Sequence, residues 1–152
     1  MPDFTPRYKL NILLADDDID DCHLFKEALD ELPLSFDLSL VHNGEQLMKL
    51  LHQKGAQLPD MLFLDLNMPH KNGFQCLSEI KQDEQLKQIP VIIYSTSIQQ
   101  AGINLLYKNG AHHYIRKPSE FHFLKKLIYQ AIRVTVEADF LQPVKEDFVL
   151  SV

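Results

Sequence analysis

Five short apolar runs, each followed by a longer amphipathic stretch, constrain the fold of this chain more than any other feature. The runs are Leu10–Ala15, Phe36–Val41, Asp60–Leu64, Pro90–Tyr94 and His112–Arg116. Most of them lack the polar–apolar alternation of a half-exposed strand, so we expect strands that are buried on both faces. Strands of this kind belong to a parallel sheet with helices packed on both sides.

The intervening stretches have the residue spacing of amphipathic helices. Helices are predicted at Ile19–Leu32, Gln46–His52, Phe74–Gln82, Ile98–Lys108 and Glu120–Ala138. In the first helix, Leu24, Ala28 and Leu32 are expected to share the buried face. Right-handed crossovers leave few topologies for five β–α units. We therefore predict an α/β domain with three α/β/α layers and a flavodoxin-like, doubly wound, five-stranded parallel sheet in the order 2-1-3-4-5.

The chain length indicates a single domain, because 152 residues suffice for one compact core and are too few for two ordinary ones. We assign this domain to residues 8–136 and a helix end and tail to residues 137–152. Within the tail, Phe148–Val152 is either an edge strand or disordered. Apolar residues persist beyond the length that such a core needs, and they either pack on the domain or form a dimer or partner contact: Ile132, Val134, Val136, Phe140 and Leu141.

Composition narrows the possible partners and location. The formal net charge of −6 argues against non-specific binding to nucleic acid. We see no apolar run of membrane-spanning length and no secretory signal at the N-terminus. Cys22 and Cys76 lack metal-ligand or disulfide spacing and are interpreted as buried thiols. These features predict a cytoplasmic protein with no direct nucleic-acid or membrane partner.

Polar residues that could form one pocket follow four of the five predicted strands. They are Asp16 and Asp17 after the first strand, Asp65 and Asn67 after the third, Ser95 after the fourth and Lys117 after the fifth. Ligands of doubly wound sheets bind at the carboxyl ends of the strands. In the order 2-1-3-4-5 these four strand ends are neighbours. We therefore expect three carboxylates, a hydroxyl and an ammonium group in one pocket.

The charge of such a pocket indicates its chemistry. Two carboxylates about 4 Å apart repel each other by roughly 4 kcal/mol at an effective dielectric constant near 20. Three of them need a cation, and Mg²⁺ with oxygen ligands fits. Because Mg²⁺ often shares its shell with a phosphate oxygen, the pocket is suited to a phosphoryl group held on a carboxylate. Asp65 is the candidate nucleophile, with Lys117 and Ser95 binding phosphoryl oxygens.

Four stretches of the sequence carry a resemblance to a known family. They are ILLADD at Ile12–Asp17, PDMLFLDLNMPHKNG at Pro59–Gly73, PVIIYSTS at Pro90–Ser97 and GAHHYIRKP at Gly110–Pro118. With their spacing they resemble the response-regulator receiver family over roughly residues 8–135. LDLNMP followed by a basic residue, the long last helix and the short tail also resemble the small stand-alone regulators paired with bacterial phytochromes.

The resemblance implies a role for each residue of the pocket. Asp65 is the implied phosphoacceptor, and Lys117 is the implied phosphate-binding lysine, followed by a Lys117–Pro118 bond that is usually cis in the family. The implied metal ligands are Asp16, Asp17, Asp65 and the backbone carbonyl of Asn67, with Asp17 binding directly and Asp16 mainly through water. Ser95 and Tyr114 occupy the implied switch positions.

The resemblance also implies a function. We expect a single-domain two-component response regulator that accepts a phosphoryl group from a sensor histidine kinase or a histidine phosphotransfer protein. Such a protein is no enzyme beyond its own phosphotransfer and dephosphorylation. Its output would be a switched protein-interaction surface, with a possible homodimer through the fourth helix, the fifth strand, the last helix and the C-terminal extension.

Two other classes of protein share parts of the pattern. A haloacid-dehalogenase-like phosphatase has a DxD motif after its first strand, which Asp16 and Asp18 match, but it also needs a cap or substrate pocket. A flavodoxin-like FMN carrier needs a phosphate-binding loop there, where Asp16–Asp18 would repel phosphate. Turnover of a phosphate ester would identify the first class, and a coloured protein the second.

Overall fold

Six parallel strands form one sheet in the computed structural model, which describes residues 6–96 and 98–151. The strands are β1 (Leu10–Ala15), β2 (Phe36–Val41), β3 (Met61–Leu64), β4 (Val91–Ser95), β5 (His113–Arg116) and β6 (Val149–Leu150). Their order is β2-β1-β3-β4-β5-β6. The predicted order of the first five strands is confirmed. The predicted number of strands is wrong, because β6 adds a parallel edge strand beside β5.

In the described part of the chain, five α-helices connect the strands. They are α1 (Ile19–Asp30), α2 (Gly44–Leu51), α3 (Gly73–Gln82), α4 (Gln100–Lys108) and α5 (Phe121–Glu137). All five were predicted, with ends that differ by a few residues. The predicted inner face of α1 is wrong at Leu24, which is exposed. Ala28 is buried as predicted, and the other buried side chains of α1 are Cys22, Phe25 and Leu29.

Two apolar cores lie on opposite faces of the sheet. Along β1, Leu13 and Ala15 join the core beneath α2, α3 and α4, whereas Ile12 and Leu14 join the core beneath α1 and α5. Strand side chains alternate between faces, so a strand that serves two cores is apolar at most of its positions. The predicted burial of both cysteines is confirmed, and both thiols are free. Within residues 6–96 and 98–151, no helix has the length and apolar character needed to cross a bilayer.

The C-terminal tail is bound along the open edge of β5. Tyr114 and Ile115 of β5 lie opposite Val149 and Leu150 of β6, and the Tyr114 N–H donates to the carbonyl of Phe148 at 3.0 Å. The Phe148 ring is buried and packs edge-on against Tyr107 of α4, with 5.3 Å between ring centroids. The edge strand is therefore observed in the described part of Phe148–Val152. Val152 lies outside the described residues, as does Ser97.

Two adjacent histidines also hold the tail. His112 Nε2 lies 3.0 Å from the carbonyl oxygen of Phe140, and His113 Nδ1 lies 3.2 Å from that of Phe148. Burial, with the nearby positive charge of Lys81, lowers the pKa of His112 to about 4. Burial also lowers the pKa of His113. The folded protein therefore favours the neutral form of both rings.

The pKa of His112 predicts a loss of stability in acid. Between its ordinary pKa of 6.5 and the folded pKa of about 4, the unfolded chain binds a proton that the folded protein does not. The free energy of unfolding of the native protein, relative to a His112→Gln variant, is thus expected to fall by about 3 kcal/mol between pH 7 and pH 4. Urea unfolding across this pH range measures the free energy of unfolding of both proteins. The contributions of the other titrating groups are the same in both and cancel in the difference. His23→Gln, at an exposed position of α1, is the control, and equal slopes for both variants would refute the prediction.

Candidate functional site

The predicted pocket lies at the carboxyl end of the sheet. Asp16 directly follows β1, Asp65 directly follows β3, Ser95 ends β4 and Lys117 directly follows β5. Backbone hydrogen bonds fix these positions: the Asp65 N–H donates to the carbonyl of Ala15 at 2.9 Å, and the Lys117 N–H donates to that of Ser95 at 2.8 Å. The parallel ladder therefore places all four side chains at one edge.

The side chains of these residues meet as the strand order predicted. The Lys117 ammonium donates to Asp16 Oδ2 at 2.8 Å and lies 3.5 Å from Asp65 Oδ2. The Ser95 hydroxyl donates to Asp65 Oδ1 at 3.1 Å. Asp16, Asp65 and Ser95 are buried, with 0%, 4% and 0% of their surface exposed. The pocket thus combines an ammonium, a hydroxyl and two buried carboxylates.

A third carboxylate completes a candidate metal site. One oxygen from each of Asp16, Asp17 and Asp65 lies within 4.8 Å of the others. Asp17 is exposed, so the cluster is open to solvent. A solvent-accessible cluster of carboxylate oxygens suits a hard divalent cation that keeps several water ligands, such as Mg²⁺. The residues present therefore fit the metal that the sequence predicted.

Asn67 lies beside the acidic cluster. Its N–H donates to Asp65 Oδ1 at 3.3 Å, and its side-chain amide donates to Thr96 Oγ1 at 3.5 Å. These two bonds fix the turn after β3 and connect it to the end of β4. The role of its carbonyl as a metal ligand stays a prediction.

Burial and charge act in opposite directions on the two central groups. Burial raises the pKa of Asp16 to about 7, although hydrogen bonds from Lys117 and from the Asp18 N–H oppose the rise. Burial alone would lower the pKa of Lys117, but its hydrogen bonds to Asp16 and Asp21 raise it above the ordinary value. Lys117 therefore stays charged, whereas the charge of Asp16 is costly without a further cation.

The loop after Asp65 is held in place by close backbone packing. A Cβ atom on Gly73, the first residue of α3, would lie 2.7 Å from Leu66 Cα and even closer to the Asp65 carbonyl. Asn72 caps α3 through a reciprocal pair of hydrogen bonds with Gln75. A residue with any side chain at Gly73 would thus displace the backbone that carries Asp65.

The two predicted switch residues both point toward the site. Besides the Ser95–Asp65 bond, the buried Tyr114 hydroxyl donates to the carbonyl of Thr96 at 2.9 Å. Tyr114 therefore reaches from β5 to the loop after β4. The peptide bond between Lys117 and Pro118 is trans, so the implied cis bond is not present. The trans form is the one that X–Pro bonds ordinarily prefer.

Sequence reasoning missed one member of the pocket. Asp21, in the first turn of α1, accepts a hydrogen bond from the Lys117 ammonium at 2.9 Å. Its position in that turn was visible in the sequence. An acidic residue there usually has a simpler role near the helix N-terminus. The Asp18 side chain has that simpler role, because it caps α1 by accepting from the Asp21 N–H at 3.0 Å.

Removal of one charge from the acidic cluster is expected to stabilise the metal-free protein. Asp17→Asn removes repulsion toward Asp16 and Asp65, and we expect a gain of about 0.5 kcal/mol, because Asp17 is exposed and its field is screened. The same change should abolish stabilisation by Mg²⁺. Thermal melts with and without Mg²⁺ test both effects. A destabilised variant that still responds to Mg²⁺ would contradict the assignment of Asp17 to the metal site.

Several known proteins are similar to this chain in sequence and in fold. The family model of the response regulator receiver domain matches residues 12–129. Response regulator Rcp1 of Synechocystis is 32% identical over 121 residues, which cover 77% of this chain and 82% of Rcp1. The structure of the phosphorylated cyanobacterial phytochrome response regulator RcpA matches with a TM-score of 0.77 and 34% identity over 90% of this chain and 99% of that one. The Mn²⁺-bound form of Rcp1 matches with a TM-score of 0.74 and 30% identity, covering 90% and 97% of the two chains.

Proposed function

Because this chain belongs to the response regulator receiver domain family, we propose that it accepts a phosphoryl group on Asp65 and acts as a single-domain two-component response regulator. The observation that carries the proposal is the buried Asp65 carboxylate, which lies between the Ser95 hydroxyl and the Lys117 ammonium. The similar protein RcpA has been crystallised in a phosphorylated form. The proposed donor is a sensor histidine kinase or a histidine phosphotransfer protein.

The proposed reaction moves one phosphoryl group between two side chains. An Asp65 carboxylate oxygen attacks the phosphorus of a phosphohistidine, a P–O bond forms and the P–N bond breaks. The imidazole nitrogen leaves with the bonding electron pair, and Asp65 becomes an acyl phosphate. Hydrolysis later breaks the P–O bond, returning the carboxylate and inorganic phosphate. The transition state spreads charge over three phosphoryl oxygens, so positioned cationic and hydrogen-bonding groups provide most of the catalysis.

The pocket contains positively charged and hydrogen-bonding groups for the phosphoryl oxygens on which negative charge develops. In this proposal Lys117 binds one phosphoryl oxygen and the Ser95 hydroxyl binds another. The carboxylates of Asp16, Asp17 and Asp65 with the Asn67 carbonyl would hold Mg²⁺ or Mn²⁺, and the Mn²⁺-bound form of Rcp1 supports this choice. When bound, the ion supplies positive charge to the transferring oxygens.

The proposed switch connects the site to the face formed by α4, β5 and α5. A phosphoryl group on Asp65 would hold Ser95 and the loop after β4, and the Tyr114–Thr96 bond carries this arrangement to β5. The tail covers part of the same face, through Phe148 on Tyr107. A homodimer or another protein partner on this face would therefore contact residues 137–152 as well as the proposed receiver domain at 8–136. Two free, buried cysteines support a cytoplasmic location.

Two observations weigh against the alternative classes. The DxD pattern needs Asp18 in the pocket, but the Asp18 carboxylate caps α1. A phosphate-binding loop after β1 would need backbone donors free of neighbouring acids, whereas Asp16 and Asp17 belong to the acidic cluster. The pocket is therefore better suited to a phosphoryl group carried by its own aspartate.

Phosphorylation by a small donor tests the proposed function. The protein is incubated with Mg²⁺ and phosphoramidate, and its intact mass is measured. We expect one phosphoryl group on the native protein and none on Asp65→Asn. Asp37→Asn, on the exposed part of β2, should behave as the native protein does. Phosphorylation that persists in Asp65→Asn would overturn the proposal.

A further inference from the structure

Lys117 has an acidic partner that the proposed chemistry does not use. Its ammonium lies 2.9 Å from Asp21 Oδ2, nearly as close as Asp16 Oδ2 at 2.8 Å and closer than Asp65 Oδ2 at 3.5 Å. Asp21 is not part of the acidic cluster found among the described residues. Its contact with the pocket is made through Lys117.

We propose that Asp21 is a positioning residue that holds Lys117 toward α1 in the unphosphorylated protein and thereby weakens binding of a phosphoryl group at Asp65. This inference rests on the proposed function, since it assumes that Lys117 binds a phosphoryl oxygen. Asp21 then sets how readily the pocket accepts the group, without contacting the reacting atoms itself.

The number of donors on Lys117 is the first argument. An ammonium group has three N–H donors, and Lys117 has three carboxylate partners. The long contact of 3.5 Å to Asp65 passes to the phosphoryl group, because Asp65 then carries the group itself. The two shorter contacts, to Asp16 and Asp21, hold Lys117 away from that group, and a closer approach lengthens one of them.

Burial decides which contact is given up. The Asp16 side chain is fully buried, so bulk water cannot replace Lys117 there. The Asp21 side chain is 30% exposed and can be hydrated where it stands. Release of Asp21 leaves no buried charge without a partner. Asp21 is therefore the partner that Lys117 exchanges for a phosphoryl oxygen.

Charge acts in the same direction. A phosphoryl group adds negative charge to a site that already holds Asp16, Asp17 and Asp65. A further carboxylate on the same ammonium adds repulsion toward the incoming group. Neutralisation of Asp21 should therefore strengthen binding of a phosphoryl mimic, and added salt should weaken this effect because Asp21 is partly exposed.

Titration with beryllofluoride in the presence of Mg²⁺ tests the inference. The dissociation constant is measured by NMR at low and high salt for the native protein, Asp21→Asn and Asp20→Asn. Asp20 is the matched control, because it carries the same charge in the same turn of α1 and is exposed. We expect Asp21→Asn to bind about tenfold more tightly than the native protein at low salt, with a smaller ratio at high salt, and Asp20→Asn to be unchanged.

A purely structural role for Asp21 gives a different result. If Asp21 only held α1 against the loop after β5, Asp21→Asn would lose stability and would bind beryllofluoride no more tightly than Asp20→Asn. Binding by Asp21→Asn that is equal to or weaker than binding by Asp20→Asn would therefore overturn the inference. Asp21→Glu, which keeps the charge, should bind as the native protein does; tightening in this variant would also overturn it. Asp21→Ser replaces the asparagine variant if that one fails to fold. Failure of the native protein to bind beryllofluoride at Asp65 would instead overturn the proposed function together with this inference.

Discussion

Replacement of Lys117 by methionine is expected to lower the free energy of unfolding of the metal-free protein by about 3 kcal/mol at pH 8. Methionine keeps most of the stem but removes the charge that three carboxylates share. The fully buried Asp16 would lose its strongest partner, and burial already raises its pKa to about 7. The loss is large because a buried charge without a partner costs more than an ordinary surface ion pair.

The same variant should show a distinctive response to pH and metal. At pH 5 the folded protein can protonate Asp16, whose pKa is raised, so we expect the destabilisation to become smaller than at pH 8. Mg²⁺ should also reduce it, because a cation again neutralises the cluster. Urea unfolding at both pH values measures these effects. Lys87→Met, which removes a surface pair with Glu84, is the control, and an equal loss in both variants would contradict the account.

Replacement of Phe148 by alanine is expected to cost about 3 kcal/mol of stability and to detach the tail from the sheet. Phe148 is 1% exposed, and its ring contacts Tyr107. Its carbonyl accepts from the Tyr114 N–H and lies 3.2 Å from His113 Nδ1. Loss of the ring removes the apolar contact that keeps these polar bonds in place.

A neighbouring residue provides the control for the tail. Val149 lies in the same edge strand but is 46% exposed, so Val149→Ala should cost less than about 1 kcal/mol. Hydrogen exchange at the Tyr114 amide reports directly on the β5–β6 bond, and we expect faster exchange in Phe148→Ala. Equal stabilities of Phe148→Ala and Val149→Ala, with unchanged hydrogen exchange at the Tyr114 amide in both, would contradict the prediction that Phe148 holds the tail on the sheet.

The strands and their order could be predicted because they depend on the pattern of apolar residues along short segments of the chain. Runs such as Met61–Leu64 are apolar at every position because each strand serves two cores. Strands of this kind admit few arrangements, and the arrangement then determines which turns meet. For this reason the approach of Asp65 to Lys117, which are 52 residues apart in the sequence, followed from strand order alone.

The unpredicted parts depend on contacts between distant segments. The edge strand β6 was only one of two alternatives for the tail, because its two residues are too few for a clear periodic pattern. It is held by Tyr114 and by the packing of Phe148 on Tyr107. The inner face of α1 was misplaced because Leu24 and Phe25 are both apolar, and only packing distinguishes them. The contact of Asp21 with Lys117 depends on the position of α1 above the pocket, which no spacing along the chain reveals.

The most direct test of the central claim is a crystal structure of the protein with Mg²⁺ and beryllofluoride. We predict that beryllium is bonded to a carboxylate oxygen of Asp65, with fluorine atoms contacting the Lys117 ammonium and the Ser95 hydroxyl, and with Mg²⁺ bound to Asp17. An Asp65 carboxylate that remains unmodified and bonded to Ser95, under conditions where beryllofluoride binds elsewhere on the protein, would contradict the account.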